Sequence, residues 1–308
     1  MTFERRAWLA GAGALAGLGL AGCAAGPSPS PMTSTPARDH AARLPGTWQE
    51  DRADAASGHT WRLWLQRPAL PAPPGGYPLL VLLDGNASFA LGAQLARNAE
   101  SRPAHVRPDP LIVAAIGHPG DGAFHPAWRL RDYTPPAPGH PPGADRGGAD
   151  ALLGFIEREL LPEAGRFGPV DPRRTALFGH SFSGLFVLHA LFRRPGLFAR
   201  HVAASPSVWW NGGQVLDEAD GFIVRHQSAR PFHTRLHLSM GELEARERAP
   251  SAERTAVRNE RRSLERTEAL AARLRALNWP ELAVDFAIRP GLDHGDMLWH
   301  GLLDTMRG

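Results

Sequence analysis

Thr175-Ala176-Leu177-Phe178-Gly179-His180-Ser181-Phe182-Ser183-Gly184-Leu185-Phe186-Val187-Leu188 is an apolar run, a turn of small residues around Ser181, and a second apolar run with helical spacing. This is the layout of a nucleophile elbow, where a strand ends, the chain reverses sharply and a helix begins. Small neighbours are required because bulk two residues either side of the serine would clash across the bend. The turn stands the Ser181 hydroxyl clear of the sheet, at the positive end of the following helix. The usual pattern is G-x-S-x-G; here Ser183 holds the last position and Gly184 follows it. Serine is small, so a slightly tighter elbow is expected rather than a broken one.

Working outward, apolar runs alternate with helical patterns. Thr47–Glu50 and His59–Leu65 read as an opening hairpin. Tyr77–Leu83 and Leu111–Ile116 are continuous apolar runs, as in strands buried on both faces. Each ends in polar or glycine-rich turns, Asp84-Gly85-Asn86-Ala87 and Gly117-His118. Helices are expected over Ala87–Ala99, Ala149–Arg166, Ala252–Leu277 and Leu298–Met306, and further strands over His201–Ala204, Thr234–Met240 and Leu282–Ile288. Residues 118–148, rich in Pro, Gly and His, read as a long loop. The alternation predicts an α/β fold with a mostly parallel sheet covered on both faces. Ligands on such sheets sit at the carboxyl ends of the strands.

Serine at its free pKa is a poor nucleophile and needs a base oriented by a carboxylate. In this layout the chain order is serine, acid, histidine. His294 lies in the loop after the last strand, where the base belongs. The acid follows the preceding strand, which ends Gly241-Glu242-Leu243-Glu244. Glu244 is favoured because the extra residues let its side chain turn back over the sheet; Glu242 is the rival, and Asp293 and Asp296 are outlying candidates. The developing oxyanion needs backbone N–H donors, expected from Phe182 and from the turn at Gly85 and Asn86. Asp84 reads as a turn residue and His180 as structural. The histidines are scattered and no metal-binding spacing occurs, so neither a metal nor another cofactor is expected.

Composition bounds the rest. Of 308 residues, 43% are hydrophobic and 21% charged, the balance of a folding chain. The net charge of +3 rests on arginine, and no basic run interleaves with aromatics, so a nucleic-acid surface is not expected. Arginines and glutamates alternate from Arg246 to Arg275, as on a solvated, ion-paired helix face. Cys23 is the single cysteine. It ends an export-signal pattern: Arg5-Arg6, an apolar segment from Ala7 to Leu20, then Leu20-Ala21-Gly22-Cys23. Those four residues resemble the bacterial lipobox, and the paired arginines resemble a twin-arginine signal. The apolar segment is shorter than the ~20 residues that span a bilayer. The expected organisation is an export signal over 1–22, a lipidated Cys23 with a Pro/Ser tether over 23–45, and a catalytic domain over 46–308. Membrane contact would come through the lipid, in the periplasm or at the outer surface.

Five stretches together resemble a known family. They are Leu82-Leu83-Asp84-Gly85-Asn86, Arg129-x-Arg131-Asp132-Tyr133-Thr134-Pro135, Gly148-Ala149-Asp150, Phe178-Gly179-His180-Ser181 and Ala204-Ser205-Pro206-Ser207-Val208-Trp209-Trp210. The combination resembles the putative-esterase family of α/β-hydrolases, in particular the siderophore esterases that open the trilactone of enterobactin and salmochelin. The resemblance covers roughly residues 46–305. It implies an α/β-hydrolase fold, Ser181 as nucleophile, His294 as base, and a small-molecule ester substrate such as a catecholate siderophore. In some members of this branch the acid is weak or absent. An anionic ferric catecholate would call for arginine and flat aromatic surface, assigned here to Arg129, Arg131, Trp209 and Trp210. Competing readings are an esterase or acyltransferase for other esters, such as acetylated or feruloylated polysaccharide, and a ligand-binding lipoprotein without catalysis.

Overall fold

The continuous apolar run at Tyr77–Leu82 forms β3, close to the middle of an eight-stranded sheet. The computed structural model describes residues 43–136, 145–246 and 262–307. The export signal over 1–22, Cys23 and the tether as far as residue 42 lie outside the described residues. The remaining strands are β1 (Thr47–Ala53), β2 (Thr60–Gln66), β4 (Ile112–Gly117), β5 (Val170–His180), β6 (Arg200–Ala204), β7 (Thr234–Gly241) and β8 (Leu282–Arg289). Their spatial order is β1-β2-β4-β3-β5-β6-β7-β8. β1 and β2 pair antiparallel, β2 meets β4 antiparallel, and every other pairing is parallel. The expected α/β-hydrolase architecture is therefore present.

The pleat sends alternate side chains of each strand to opposite faces. Leu80 and Leu82 pack with Phe89 and Ala93 of α1 (Gly85–Glu100) and with Leu298 and Leu302 of the terminal helix Asp296–Arg307. Leu79 and Val81 face the other way, toward α3 (Ala149–Phe155), α5 (Phe182–Arg193) and α6 (Gln214–Arg225). One π turn, Ile156–Leu160, joins α3 to α4 (Leu161–Gly165) within the helix expected over 149–166.

Two differences from the sequence reading have physical causes. The long loop over 118–148 contains a helix, α2 (Pro126–Tyr133), started by Pro126 and held by burial of Asp132 and Tyr133. Residues 137–144 of that stretch lie outside the described residues. α6, which the sequence pattern leaves unassigned, packs Val215, Ala219 and Phe222 into the core. The helix expected over Ala252–Leu277 is described from Ser263 to Arg275; 247–261 lie outside the described residues.

His189 is fully buried on α5, and both ring nitrogens meet carboxylates: Nδ1 lies 2.9 Å from Glu218 and Nε2 3.2 Å from Asp150. Burial works against its charge, but the two carboxylates outweigh burial and raise its pKa. The hydrogen bond from His189 in turn holds Asp150 at about 2. Because the histidine pKa is raised on folding, its contribution is complete below its unfolded value of ~6.5 and is lost as pH rises through the folded value. The lowered Asp150 contributes fully above its unfolded value of ~3.9 and loses that contribution as pH falls toward about 2. Urea midpoints measured from about pH 5 to about pH 9 should therefore decline on the alkaline side, and His189→Gln should flatten that decline.

Candidate active site

β5 ends at His180, and α5 begins one residue after Ser181. Ser181 takes φ 61° and ψ −118°, a left-handed-side conformation that costs a non-glycine residue ~1–3 kcal/mol. The turn is tight enough that a Cβ on Gly179 would lie 2.3 Å from the Ser183 carbonyl oxygen. Ser183 is completely buried, and its hydroxyl is part of the elbow rather than of a pocket wall. Its Oγ accepts the His180 N–H at 2.8 Å and lies 2.7 Å from Asp84 Oδ2, to which it donates.

His294 lies in the loop after β8. Its Nε2 is 3.1 Å from Ser181 Oγ, and its Nδ1 is 2.8 Å from Glu244 Oε2. Glu244 opens into the site from a short helix, α7 (Leu243–Arg246), after β7. Its second oxygen accepts from Ser205 Oγ at 2.5 Å and from the Gly241 N–H at 2.8 Å. Burial raises the Glu244 pKa, but hydrogen bonds from His294, Ser205 and Gly241 outweigh it, and the carboxyl is held below its ordinary value.

Of the two glutamates, Glu244 meets His294. Glu242 points instead to the loop after β8, where its carboxylate accepts the Gly291 N–H at 3.1 Å. The two loops are stitched by Glu242 N–H to Arg289 O and Leu243 N–H to Leu292 O, each 3.0 Å. Gly241 permits this approach, since a Cβ there would fall 2.4 Å from the Leu292 oxygen. Asp293 and Asp296 cap the terminal helix reciprocally: each side chain accepts the other's backbone N–H. His180 is buried beside the site and donates Nε2–H to the His294 carbonyl oxygen at 2.7 Å. Burial, followed by the neighbouring His294, pushes the His180 pKa down to about 3, so it meets His294 as a neutral ring.

The first N–H groups of a helix have no acceptor within it. Phe182 supplies the first of α5, and Gly85 and Asn86 supply the first two of α1. β3 and β5 are adjacent parallel strands, so both helix starts share one edge of the sheet. The Asn86 side chain is occupied elsewhere, bridging the His118 N–H and C=O at 2.9 Å each. Any oxyanion donor from Asn86 is accordingly its backbone N–H. Phe182, Trp209 and Trp210 form a half-buried aromatic cluster beside Ser181, with Phe182 5.3 Å from Trp210 between ring centroids. The Ser207 N–H donates to the Ser181 carbonyl at 3.0 Å and holds this loop in place.

The two arginines assigned to substrate binding each lie on a carboxylate of the protein. Arg129 forms a two-pronged ion pair with Asp84, at 2.7 and 3.0 Å, with its side chain 14% exposed. Arg131 lies in the same way on Asp132, a fully buried carboxylate that also accepts from Trp61 and His118. Both guanidinium groups are thus held by protein carboxylates. Asp84, read as a turn residue, is also the group that receives Arg129 and Ser183. Its left-handed backbone (φ 51°) agrees with the turn.

Serine, histidine and carboxylate at the carboxyl ends of a parallel sheet define a serine hydrolase of the α/β-hydrolase type. A model of the family described as Putative esterase matches residues 58–278, and the chain belongs to that family. It is 34% identical over 210 residues to the ferri-bacillibactin esterase BesA of Bacillus subtilis, a match covering 65% of this chain and 72% of that protein. Over 186 residues it is 42% identical to a siderophore enterobactin esterase of Emericella nidulans, covering 56% of this chain and 59% of the relative. Among solved structures, the siderophore hydrolase EstB from Aspergillus nidulans aligns with a TM-score of 0.72 at 29% identity, over 87% of this chain and 95% of that one.

Proposed function

We propose that this chain is an exported, lipid-anchored serine esterase that opens the ester bonds of a siderophore through an acyl-enzyme. The observation that carries the reading is the chain of contacts from Ser181 Oγ to His294 Nε2 and from His294 Nδ1 to Glu244. In the proposed reaction His294 takes the Ser181 proton as Oγ attacks the ester carbonyl carbon. The resulting oxyanion is met by the N–H groups of Phe182 and of the Gly85-Asn86 turn, each such donor being worth ~3–4 kcal/mol of barrier. The imidazolium, stabilised by Glu244, gives its proton to the departing alkoxide. Water, activated by the same base, then releases the acid and restores Ser181.

The names of the relatives support a siderophore as substrate. His294 has a side chain 49% exposed, which leaves the site open to a bulky ester. The Phe182, Trp209 and Trp210 rings offer flat surface for catechol groups. The direct test compares hydrolysis of ferric and iron-free enterobactin with p-nitrophenyl acetate and butyrate. Cleavage of the trilactone supports the siderophore reading; turnover of the simple esters alone overturns it and leaves a general esterase.

The acid has its own test. Glu244→Gln should lower kcat by about 10²–10⁴-fold, because a neutral amide no longer stabilises the imidazolium. Glu242→Gln should leave kcat unchanged. Equal losses in both variants would contradict the assignment. For the anchor, Leu20-Ala21-Gly22-Cys23 supports lipidation at Cys23. Metabolic labelling with a fatty acid should mark the protein, and Cys23→Ala should abolish the label.

A further inference from the structure

The parallel strands carry a second feature at their amino ends, across the sheet from Ser181. A groove of about 1170 Å³ crosses the starts of β3, β5, β6, β7 and β8. Six arginines and only two carboxylate residues line it, a larger positive excess than the +3 of the whole chain. Two of those arginines are matched within the lining, Arg174 by Asp109 and Arg230 by Glu281, and Asp171 beside the groove meets both Arg173 and Arg174.

Arg200 and Arg235 are different. They are register partners on β6 and β7, so two like charges lie directly opposite across a strand pair, an arrangement that repels. Arg200 is half-buried and donates to the Thr305 carbonyl at 2.5 Å; among the described residues it forms no ion pair. Arg235 reaches Asp285 at 4.0 Å, the outer limit of an ion pair. Burial, then the charge of Arg235, lowers the Arg200 pKa, as expected for an uncompensated cation. A guanidinium carries five N–H donors in a rigid fork. Two such forks side by side offer more donors than one carboxylate has oxygens, whereas a phosphate can accept from both. Apolar wall is close by, from Ala96, Ala99, Leu111 and Met306.

We propose that this groove is a second, non-catalytic site for a phosphate-bearing anion, its oxygens held between Arg200 and Arg235. The site takes no part in ester hydrolysis, because Ser181, His294 and Glu244 lie at the other ends of the same strands. Inorganic phosphate titrated into the full chain should raise the unfolding temperature by about 3–6 °C near tenfold excess over its dissociation constant, and logarithmically with concentration beyond it. Arg200→Gln and Arg235→Gln should each abolish the rise while p-nitrophenyl butyrate hydrolysis is retained. Because Arg200→Gln removes an unpaired cation, the unliganded variant should melt no lower than the wild type. Absence of a response to phosphate and to phospholipid vesicles alike, or a response that survives both substitutions, overturns the proposal. Flotation of the Cys23→Ala chain, which lacks the proposed lipid, with vesicles of phosphatidylglycerol against phosphatidylcholine separates the sources: arginine-dependent binding to the anionic vesicles assigns a lipid headgroup, and a response to free phosphate alone assigns a soluble ligand.

Discussion

Ser181→Ala is expected to fold normally and to lose ester hydrolysis by about 10³- to 10⁶-fold. The hydroxyl is the only group removed, and its contact at the site is with His294, itself half exposed, so no buried partner is orphaned. The proposed chemistry has no substitute nucleophile at the elbow, because Ser183 Oγ is sealed in the turn and committed to Asp84. His294→Ala should fall to a similar residual rate, and the double variant no further, since nucleophile and base act as a unit. The elbow geometry adds a second readout. Ser181→Gly should be as inactive as the alanine variant yet melt higher, because glycine adopts φ 61° without the ~1–3 kcal/mol that serine bears there. Activity surviving in Ser181→Ala would displace the nucleophile, whereas a melting temperature lowered by Ser181→Gly would displace the account of strain.

The parts of this site that could be read from the sequence are those fixed by local pattern. Strands buried on both faces announce themselves as apolar runs, as at Tyr77–Leu82 and Ile112–Gly117, and the elbow is a contiguous motif. His294 could be placed because it follows the last strand in the chain. The choice between Glu242 and Glu244 rests on non-local backbone pairing, which stitches the loops after β7 and β8 and turns Glu244 inward. No local pattern displays that pairing. Arg129 shows the same limit: its charge is visible in the sequence, but its partner Asp84 is 45 residues away, and only the packing of α2 against the end of β3 joins them. α2 was hidden for a related reason. Its segment is rich in loop-forming residues, and tertiary burial of Asp132 and Tyr133 overrides that local preference.

The Asp84–Arg129 pair supports the second large expectation. Asp84 is almost inaccessible, and its oxygens accept from Arg129 and from Ser183, so one carboxylate fastens the β3–α1 turn, the elbow and α2 together. Removing one partner of such a pair leaves the other charge buried without compensation, at a cost of ~3–5 kcal/mol. Arg129→Gln should therefore lower the unfolding temperature by about 6–20 °C. A substrate-binding arginine would behave otherwise, with KM rising and the unfolding temperature unmoved. Asp84→Asn combined with Arg129→Gln should recover part of the loss, since no uncompensated charge then remains. Ser183→Gly, which restores the usual residue of the motif, should not be neutral here. It removes the acceptor of the buried His180 N–H and one donor to Asp84, a loss of ~1–3 kcal/mol. The same loss unfastens the Gly85-Asn86 turn from the elbow. kcat on p-nitrophenyl butyrate should then fall more than KM changes, because the proposed oxyanion donors, the N–H groups of Phe182 and of the Gly85-Asn86 turn, sit on the two segments that this contact joins.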